Sequence, residues 1–529
     1  MKKLLTWLDN NILKLFLVLY VFFIPLFPKL PFKMVDYTYI AIRFEDFLVA
    51  IIYTTFVVQV FRKKVDINKK YLLLFSIFWL SVFISYYLGF FVQKTIVIHN
   101  LGLLHSLRRV EYMFIFFAFA ASVKSRKDFY FYLRAILVVL AIVTVYGLGQ
   151  KYAGWPAVQT MNPEYAKGYI LVLDSWARIS STFGGHYDLA AYLIFFMPVI
   201  LAFTIKESPW YYILYLLALS NLVLTASRVS YGAYLMSVFP FLLINRKWTL
   251  TLVTIAATVG LTLLSGNLTQ RINRTFQTKQ IFINKTTGQT TVPRRLSPDD
   301  LPTGDFIPNK KNVEDSATDV YTDGNTSINL SSKDVLEAKY NIREQIQEEA
   351  KKTGKILTQA EEDALVEATF RNMKVVSASI PDISVATRLQ VEWPRAIRAF
   401  TKHPLFGSGP SSITEATDGD YFRWLGEFGL VGTLSFLTIL GTLFVSIFVS
   451  ARKKNADSIL LWGILAGFMG LLTNATFIDV FEASKVAFIF WMTMGLTVGY
   501  LAVHKSEIAY EPAYTKKKIA QPLKKKIKK

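Results

Sequence analysis

Apolar residues fall along this chain in runs of about 20, the length of helix that crosses a lipid bilayer, and short polar breaks separate them. The predicted spans are Asn11–Leu30, Ile40–Phe61, Tyr71–Val92, Leu107–Val123, Phe129–Gln150, Leu189–Ile205, Trp210–Thr225, Val229–Ile244, Leu250–Ser265, Phe422–Val449, Ile459–Val480 and Val486–His504. Lysine and arginine stay preferentially on the cytoplasmic side of a membrane, which gives an independent check. Lys2–Lys3, Arg62–Lys64, Lys124–Lys127, Lys206, Arg246–Lys247, Arg452–Lys454 and Lys516–Lys518 all fall on one side of that count. Both termini are therefore expected in the cytoplasm. The expected fold class is an all-α polytopic membrane protein with about 12 transmembrane helices and one large extracytoplasmic loop that contains helices.

The pattern divides the chain into residues 1–265 with nine spans, a large loop over 266–421, three spans over 422–504, and a basic cytoplasmic tail over 505–529. Within the loop, 266–383 reads as a variable insertion. Its 277–332 stretch, rich in Thr, Asn, Asp, Pro and Gly, predicts loops or irregular hairpins. Asp334–Lys352 and Gln359–Met373 read as charged helices, with Thr358 and Glu361 at capping-box spacing. Such helices suit an outward cap or a protein-partner surface. Residues 384–421 carry a helix with Ser384 as N-cap and Val385, Leu389, Trp393 and Ile397 at near-helical spacing. The sequence HPLFGSGP then ends it, because Pro404 and Pro410 lack an N–H and Gly407 and Gly409 permit a sharp turn.

Composition supports a membrane protein: of 529 residues 53% are hydrophobic and only 18% charged, too little charge for a soluble chain of several domains. The net charge of +21 lies in the polar breaks and in the terminal KKKIKK, so it argues for anionic lipid headgroups, or a plain solvated tail, and against nucleic acid. With no cysteine, disulfides, thiolate metal sites and cysteine nucleophiles are excluded. The five histidines are scattered, and no metal or cofactor is expected. MKKLLTWLDNNILKLFLVLYVFFIPLF has no small-residue cleavage site and reads as a retained first helix.

Arginine departs from the charge rule. Arg108, Arg109, Arg178, Arg228, Arg388, Arg395 and Arg398 fall outside or at the outer boundary, where a guanidinium costs free energy without a partner or ligand. Its planar fork suits phosphate oxygens and stays charged when partly desolvated. Arg228 sits in NLVLTASRVSYGAYL between two apolar runs; the alternatives to phosphate are pairing with Glu111 or another acid, or snorkelling to headgroups. For Arg395 and Arg398 the alternative is a solvated helix side. Asp418, Asp420 and Glu427 follow just before the next apolar run.

The order of TASR, STFGGHYDLAAYL, Arg388 five residues before Trp393, HPLFGSGP and DYFRWLGEFGLVG resembles the O-antigen ligase and polymerase superfamily, over about 250 residues from Arg178 to Gly432. The resemblance implies a metal-independent, inverting glycosyltransferase. It would move a glycan from a polyprenyl-diphosphate carrier to an acceptor hydroxyl on a glycan, lipid or protein, at the outer side of a bacterial plasma membrane. By resemblance Arg228 and Arg388 stabilise the diphosphate leaving group, with Arg178 as a third. Where the ligases commonly carry a histidine, this chain has Asp418, as a general base, a carbohydrate hydrogen-bonder or a turn residue. Tyr421, with Asp420 and Glu427, belongs to the motif that returns the chain to the membrane. His186 is a substrate contact or a helix-start residue; His403 is a contact or a helix terminator. The rival classes are a transporter or flippase of a lipid-linked anion, and a catalytically silent envelope scaffold.

Overall fold

The computed structural model describes residues 2–34, 41–160, 165–174, 176–273, 275–285, 290–291, 318–323, 326–381, 383–413, 417–453 and 455–519. They form two compact units, residues 1–269 with 387–529, and residues 270–386. The chain opens with helix α1 (Lys2–Leu26), a hairpin of β1 (Pro31–Met34) and β2 (Ala41–Arg43), then α2 (Phe44–Phe61), α3 (Lys69–Tyr87), α4 (His99–Ser122) and α5 (Arg126–Tyr152). A second short hairpin, β3 (Pro156–Val158) with β4 (Ile170–Val172), leads to α6 (His186–Lys206), α7 (Tyr211–Leu224), α8 (Arg228–Ile244) and α9 (Trp248–Leu264). Next come α10 (Gly266–Asn273), β5 (Phe276–Asn284), β6 (Thr290–Thr291), β7 (Thr318–Asp323), β8 (Thr326–Ser331), α11 (Ser332–Thr353), α12 (Gln359–Arg371) and β9 (Met373–Pro381). The last part runs α13 (Ile383–Thr387), a π-helical turn Arg388–Glu392, α14 (Trp393–Lys402), α15 (Asp420–Ala451), α16 (Ser458–Ala475) and α17 (Ser484–Ile519).

Among the described residues eight helices are long and apolar enough to cross a membrane: α1, α2, α3, α5, α6, α15, α16 and α17. A ninth is added if α9 and α10, bent by 87°, count as one span. This is the architecture of a polytopic membrane protein. Each predicted span contains a helix, yet α7 and α8 have only 14 and 17 residues. Helix α4 carries Arg108, Arg109 and Glu111 and begins at His99, eight residues before the predicted span Leu107–Val123. The C-terminal helix also runs beyond its expected end, to Ile519, and KKKIKK lies outside the described residues.

Close helix contacts follow small residues, since lipid gives no hydrophobic drive and packing has to supply the adhesion. Gly495 and Gly499 of α17 lie against the backbone of α4, where an added Cβ would stand 2.3 Å from the Phe116 carbonyl oxygen and 2.4 Å from that of Ala120. Gly463 and Gly467 do the same for α16 on α6, meeting the Pro198 and Phe195 carbonyl oxygens, while Gly470 meets the side chains of Ile194 on α6 and Ser237 on α8.

Helix α15 is broken. Gly429 has φ 61° and ψ −159°, which leaves donors and acceptors on both sides without helical partners. The HPLFGSGP turn supplies them. Leu430 N–H donates to Pro404 O (2.8 Å) and Val431 N–H to Leu405 O (3.0 Å), while Ser408 and Gly409 N–H donate to Gly426 O and Glu427 O (both 2.9 Å).

In the second unit β5 pairs antiparallel with β6 and, along its whole length, with β9. A further hairpin joins β7 and β8. Helices α11 and α12 pack on Ala338, Ile342, Val366, Phe370 and Met373, and the Thr358–Glu361 capping box is formed. The sequence missed β9, having carried the preceding helix to Met373; the β-branched and small residues of MKVVSASIP pair with β5 instead. Residues 292–317 of the insertion lie outside the described residues.

A Cβ at Gly407 (φ 70°) would stand 2.3 Å from Glu427 O, whereas one at Gly441 meets nothing within 4 Å. Gly407→Ala is therefore expected to destabilise the protein by about 2 kcal/mol or more. Thermal unfolding in detergent checks this, with Gly441→Ala expected to melt at or above wild type.

Candidate functional site

The motif segment 383–402 is one helical run whose geometry changes at Arg388. Ser384 lies inside it, one residue past its start at Ile383, and does not cap it. The π turn at Arg388–Glu392 widens the helix by a residue, a device frequent at functional positions. It buries both Arg388 and Glu392. Arg388 donates from NH2 to Asp418 Oδ2 (2.6 Å) and from Nε to Phe477 O (2.9 Å), just past α16. Glu392 accepts from the Asp418 N–H (3.0 Å). Trp393 donates to Asp418 O (3.0 Å) and stacks on Phe422 at 4.4 Å. The Asp418–Gly419 turn is thus held from three sides, while 42% of the Asp418 side chain stays exposed. The open side of the site lies there.

Behind this pair runs a buried line of charge. Asp420, Arg423 and Glu427 project at three- and four-residue spacing from α15. Asp420 is fully buried and accepts from the N–H groups of Val480 (2.7 Å) and Phe481 (3.2 Å). Arg423 donates to Thr417 O (2.8 Å) and Asp479 Oδ2 (2.6 Å), and Gly419 N–H donates to Asp479 Oδ1 (3.1 Å). Glu427 accepts from Arg109 NH2 (2.9 Å) and the Ser411 N–H (2.9 Å). Arg109 also pairs with Glu482 at 2.8 Å and lies over the Phe428 ring at 4.5 Å. A void of about 10 Å³, the size of one water, adjoins Arg109 and Glu482. Three arginines here face six carboxyl groups. Burial, together with the carboxylates of Asp418, Glu482 and Glu427, pushes Asp479 up to about 7 against the opposing pull of Arg423. Burial and Asp418 also raise Glu392.

Arg228 is the first residue of α8, in a tight break capped by Ser227, whose Oγ accepts from the Ser230 N–H. Ser230 Oγ donates to Asn474 Oδ1 (3.1 Å). The TASR break and Arg388 thus both bear on the end of α16, at Asn474 and Phe477. Glu111, offered by the sequence as a partner for Arg228, instead stands on α4 beside Asp46 and Arg108.

The segment with Arg178 and His186 is anchored elsewhere. Gln150 of α5 holds the backbone of Ser180 and Ser181, and Thr182 donates to Pro25 O (2.6 Å). Arg178 lies over the Tyr187 ring at 5.8 Å with its NH1 buried and without a hydrogen-bond partner among the described residues. His186 is buried at the start of α6, its ring 4.0 Å from that of Tyr187. Arg395 is half-buried, with NH1 3.4 Å from Ile413 O. Arg398 is exposed. His403 ends α14 through its backbone N–H, which bonds to Ala399 and Phe400 carbonyls. Tyr421 donates to Leu472 O (2.8 Å), locking α15 to α16. Of the sequence candidates, the structure joins Arg388 and Asp418 directly, and gives Asp420, Tyr421 and Glu427 partners inside the protein.

Glu392, Arg423, Asp479 and Glu482 were missed, and Arg109, singled out among the outer arginines, was given no role at the site. A signal existed for some. Arg423 shares a helix face with Asp420 and Glu427, and Asp479 stood inside a predicted span, where an ionisable residue marks function by default. Among the described residues no group of three or more His, Asp or Glu side chains stands close enough to hold a metal ion. No protein-family model matches the chain, and a search of curated proteins finds no match.

Because the folded Asp479 carboxyl is raised, its contribution to stability is full below the ordinary carboxylate range and is lost as pH rises through about 7. Glu392, also raised, acts with the same sign. Asp457, whose burial is overcome by hydrogen bonds from Arg126, Lys206, Tyr130 and Tyr500, is held low and acts only in acid. The melting temperature is therefore expected to fall between mildly acidic and mildly alkaline pH, and Asp479→Asn to flatten that fall. Parallel slopes for the two proteins would place the Asp479 carboxyl in its ordinary range.

Proposed function

We propose that the protein is a membrane glycosyltransferase of the O-antigen ligase or polymerase type. It takes a glycan from a polyprenyl-diphosphate carrier and joins it to a hydroxyl of a glycan, lipid or protein acceptor. The proposed frame has 12 helices with both termini in the cytoplasm of a bacterial cell and the 266–421 loop outside. The single observation that carries the reading is the Arg388–Asp418 pair, a buried guanidinium on an exposed carboxylate at the mouth of a charged site. It lies on the motif segment whose order along the chain resembles that family.

The arrangement suggests an exchange of partners. An incoming diphosphate takes the place of Asp418 on Arg388, with Arg228 at the neighbouring break as a second guanidinium. Displaced, the Asp418 carboxylate is left to accept the proton of the acceptor hydroxyl. The acceptor oxygen then bonds to the anomeric carbon as the bond to the diphosphate breaks, and the diphosphate leaves with the electron pair. Growing negative charge on it is met by guanidiniums already in place, the form of electrostatic help that usually contributes most.

One observation favours the transporter reading instead. Helix α15 is interrupted at Gly429 beside buried ionisable groups, and interrupted helices build the binding sites of many transporters.

In a deletion strain complemented with variants, Arg388→Ala and Asp418→Asn are expected to lower long-chain surface polysaccharide by about 100-fold or more, the usual scale for a lost transition-state or acid–base contact. Lipid-linked precursor should accumulate, and Arg228→Ala should act likewise. Normal product in all three would exclude this site. Product lost with precursor trapped on the inner leaflet would favour transport.

A further inference from the structure

At the other end of α16 lies a second cluster that the transferase reading does not use. Asp457, buried just before α16, accepts from Arg126 Nε and NH2 (2.7 and 2.6 Å), Tyr130 OH (2.6 Å), Tyr500 OH (2.6 Å) and Lys206. Its oxygens are saturated, and the cations it holds are fixed in direction. Arg126, Arg134 and Lys206 gather round the single ring of Tyr130, at 5.4, 5.9 and 5.1 Å. Cations so close repel one another. Two acids, Asp457 and Glu207, compensate them, with Arg134 on Glu207 at 3.0 Å.

These cations border a groove of about 1040 Å³. Arg126, Lys127, Arg134 and Lys206 line it, against one lining acid, Glu207. Apart from Ser125 and Tyr130, its other walls are apolar. Phe131, Ala135 and Val138 descend one face of α5, and Phe22 of α1 faces them. From Lys127 to Val138 that wall runs about 16 Å along the helix, into the depth of the membrane. A cationic head over an apolar channel has the chemistry of a phospholipid site. The Lys124–Lys127 cluster lies on the side that the distribution of lysine and arginine assigns to the cytoplasm.

We propose that this groove binds an anionic glycerophospholipid of the cytoplasmic leaflet, its phosphate on Lys127 and Arg134 and one acyl chain along Phe131, Ala135 and Val138. The proposal stands apart from the transferase reading. A solvent ion would need only the head, whereas the depth of the apolar wall calls for a chain.

The test is native mass spectrometry of the full-length protein in detergent, titrated with phosphatidylglycerol or phosphatidylcholine. Wild type is expected to hold phosphatidylglycerol about ten-fold more tightly, and the Lys127→Ala/Arg134→Ala double variant to lose most of that preference. Neither residue donates to Asp457, so all of its hydrogen-bond donors remain in the variant. Val138→Trp, which fills the channel, should weaken both lipids, and excess inorganic phosphate should displace neither from wild type. Equal retention of the two lipids, or an unchanged preference in the double variant, would overturn the proposal and assign any preference to other basic segments. Displacement by phosphate would make the head a free-anion site. The phosphate arm needs only wild type and decides even if a variant fails to fold.

Discussion

Everything at the candidate site depends on how the interruption of α15 is satisfied. A helix that stops inside or at the edge of a membrane strands N–H and C=O groups where water cannot take them, at several kcal/mol each. Here the chain solves this with a second piece of backbone. The 404–409 turn gives two carbonyls to the upper half of α15 and two N–H groups to the lower half, two bonds on either side of Gly429. Only glycine fits at the contact, since a Cβ on Gly429 would stand 2.6 Å from the Gly407 nitrogen and the Leu405 carbonyl oxygen. Residues far apart in other respects are thereby fixed together. Ser408 and Gly409 press on Gly89, just past the end of α3, Ser411 N–H reaches Glu427, and Ser85 donates to the Glu427 carbonyl. The first turns of α15 can then hold Asp420, Arg423 and Glu427 on one buried face.

This explains what could be read from the sequence and what could not. Runs of apolar residues located α1 to α9 and α15 to α17, because that signal is local. The stop at HPLFGSGP and the capping box at Thr358 were legible for the same reason: each acts within a few residues. The ion pairs were not. Arg109 finds Glu427 across 318 positions and Arg423 finds Asp479 across 56, and no periodicity carries such information. The π turn at Arg388 was equally hidden, since its effect is a rotation of one side chain relative to the ordinary helical register. Ser384 shows the limit of local reasoning from the other side. It has the chemistry of a cap, but the helix starts a residue earlier.

The two ends of α16, about 27 Å apart along 18 residues, show opposite ways of keeping charge in a membrane protein. At Asp457 one carboxylate takes donors from four side chains, and nothing in its coordination is left open. At the far end carboxyl groups outnumber guanidiniums, and the excess has to hold protons, repel or await a partner. A saturated hub resists change, because losing any one donor exposes a buried charge. An unbalanced cluster with one exposed member, Asp418, can exchange its partners at less cost, because protons can move among the carboxyl groups to offset the change.

That asymmetry bears on where chemistry can occur. For an anionic substrate to enter the α15 site it must displace a carboxylate from an arginine, which in isolation would be unfavourable on both counts. Burial and the neighbouring carboxylates raise Asp479, so a proton held there lessens the repulsion that an entering anion meets. The surplus of acids, which by charge alone argues against an anion, is also the set of groups on which protons can be redistributed as one enters.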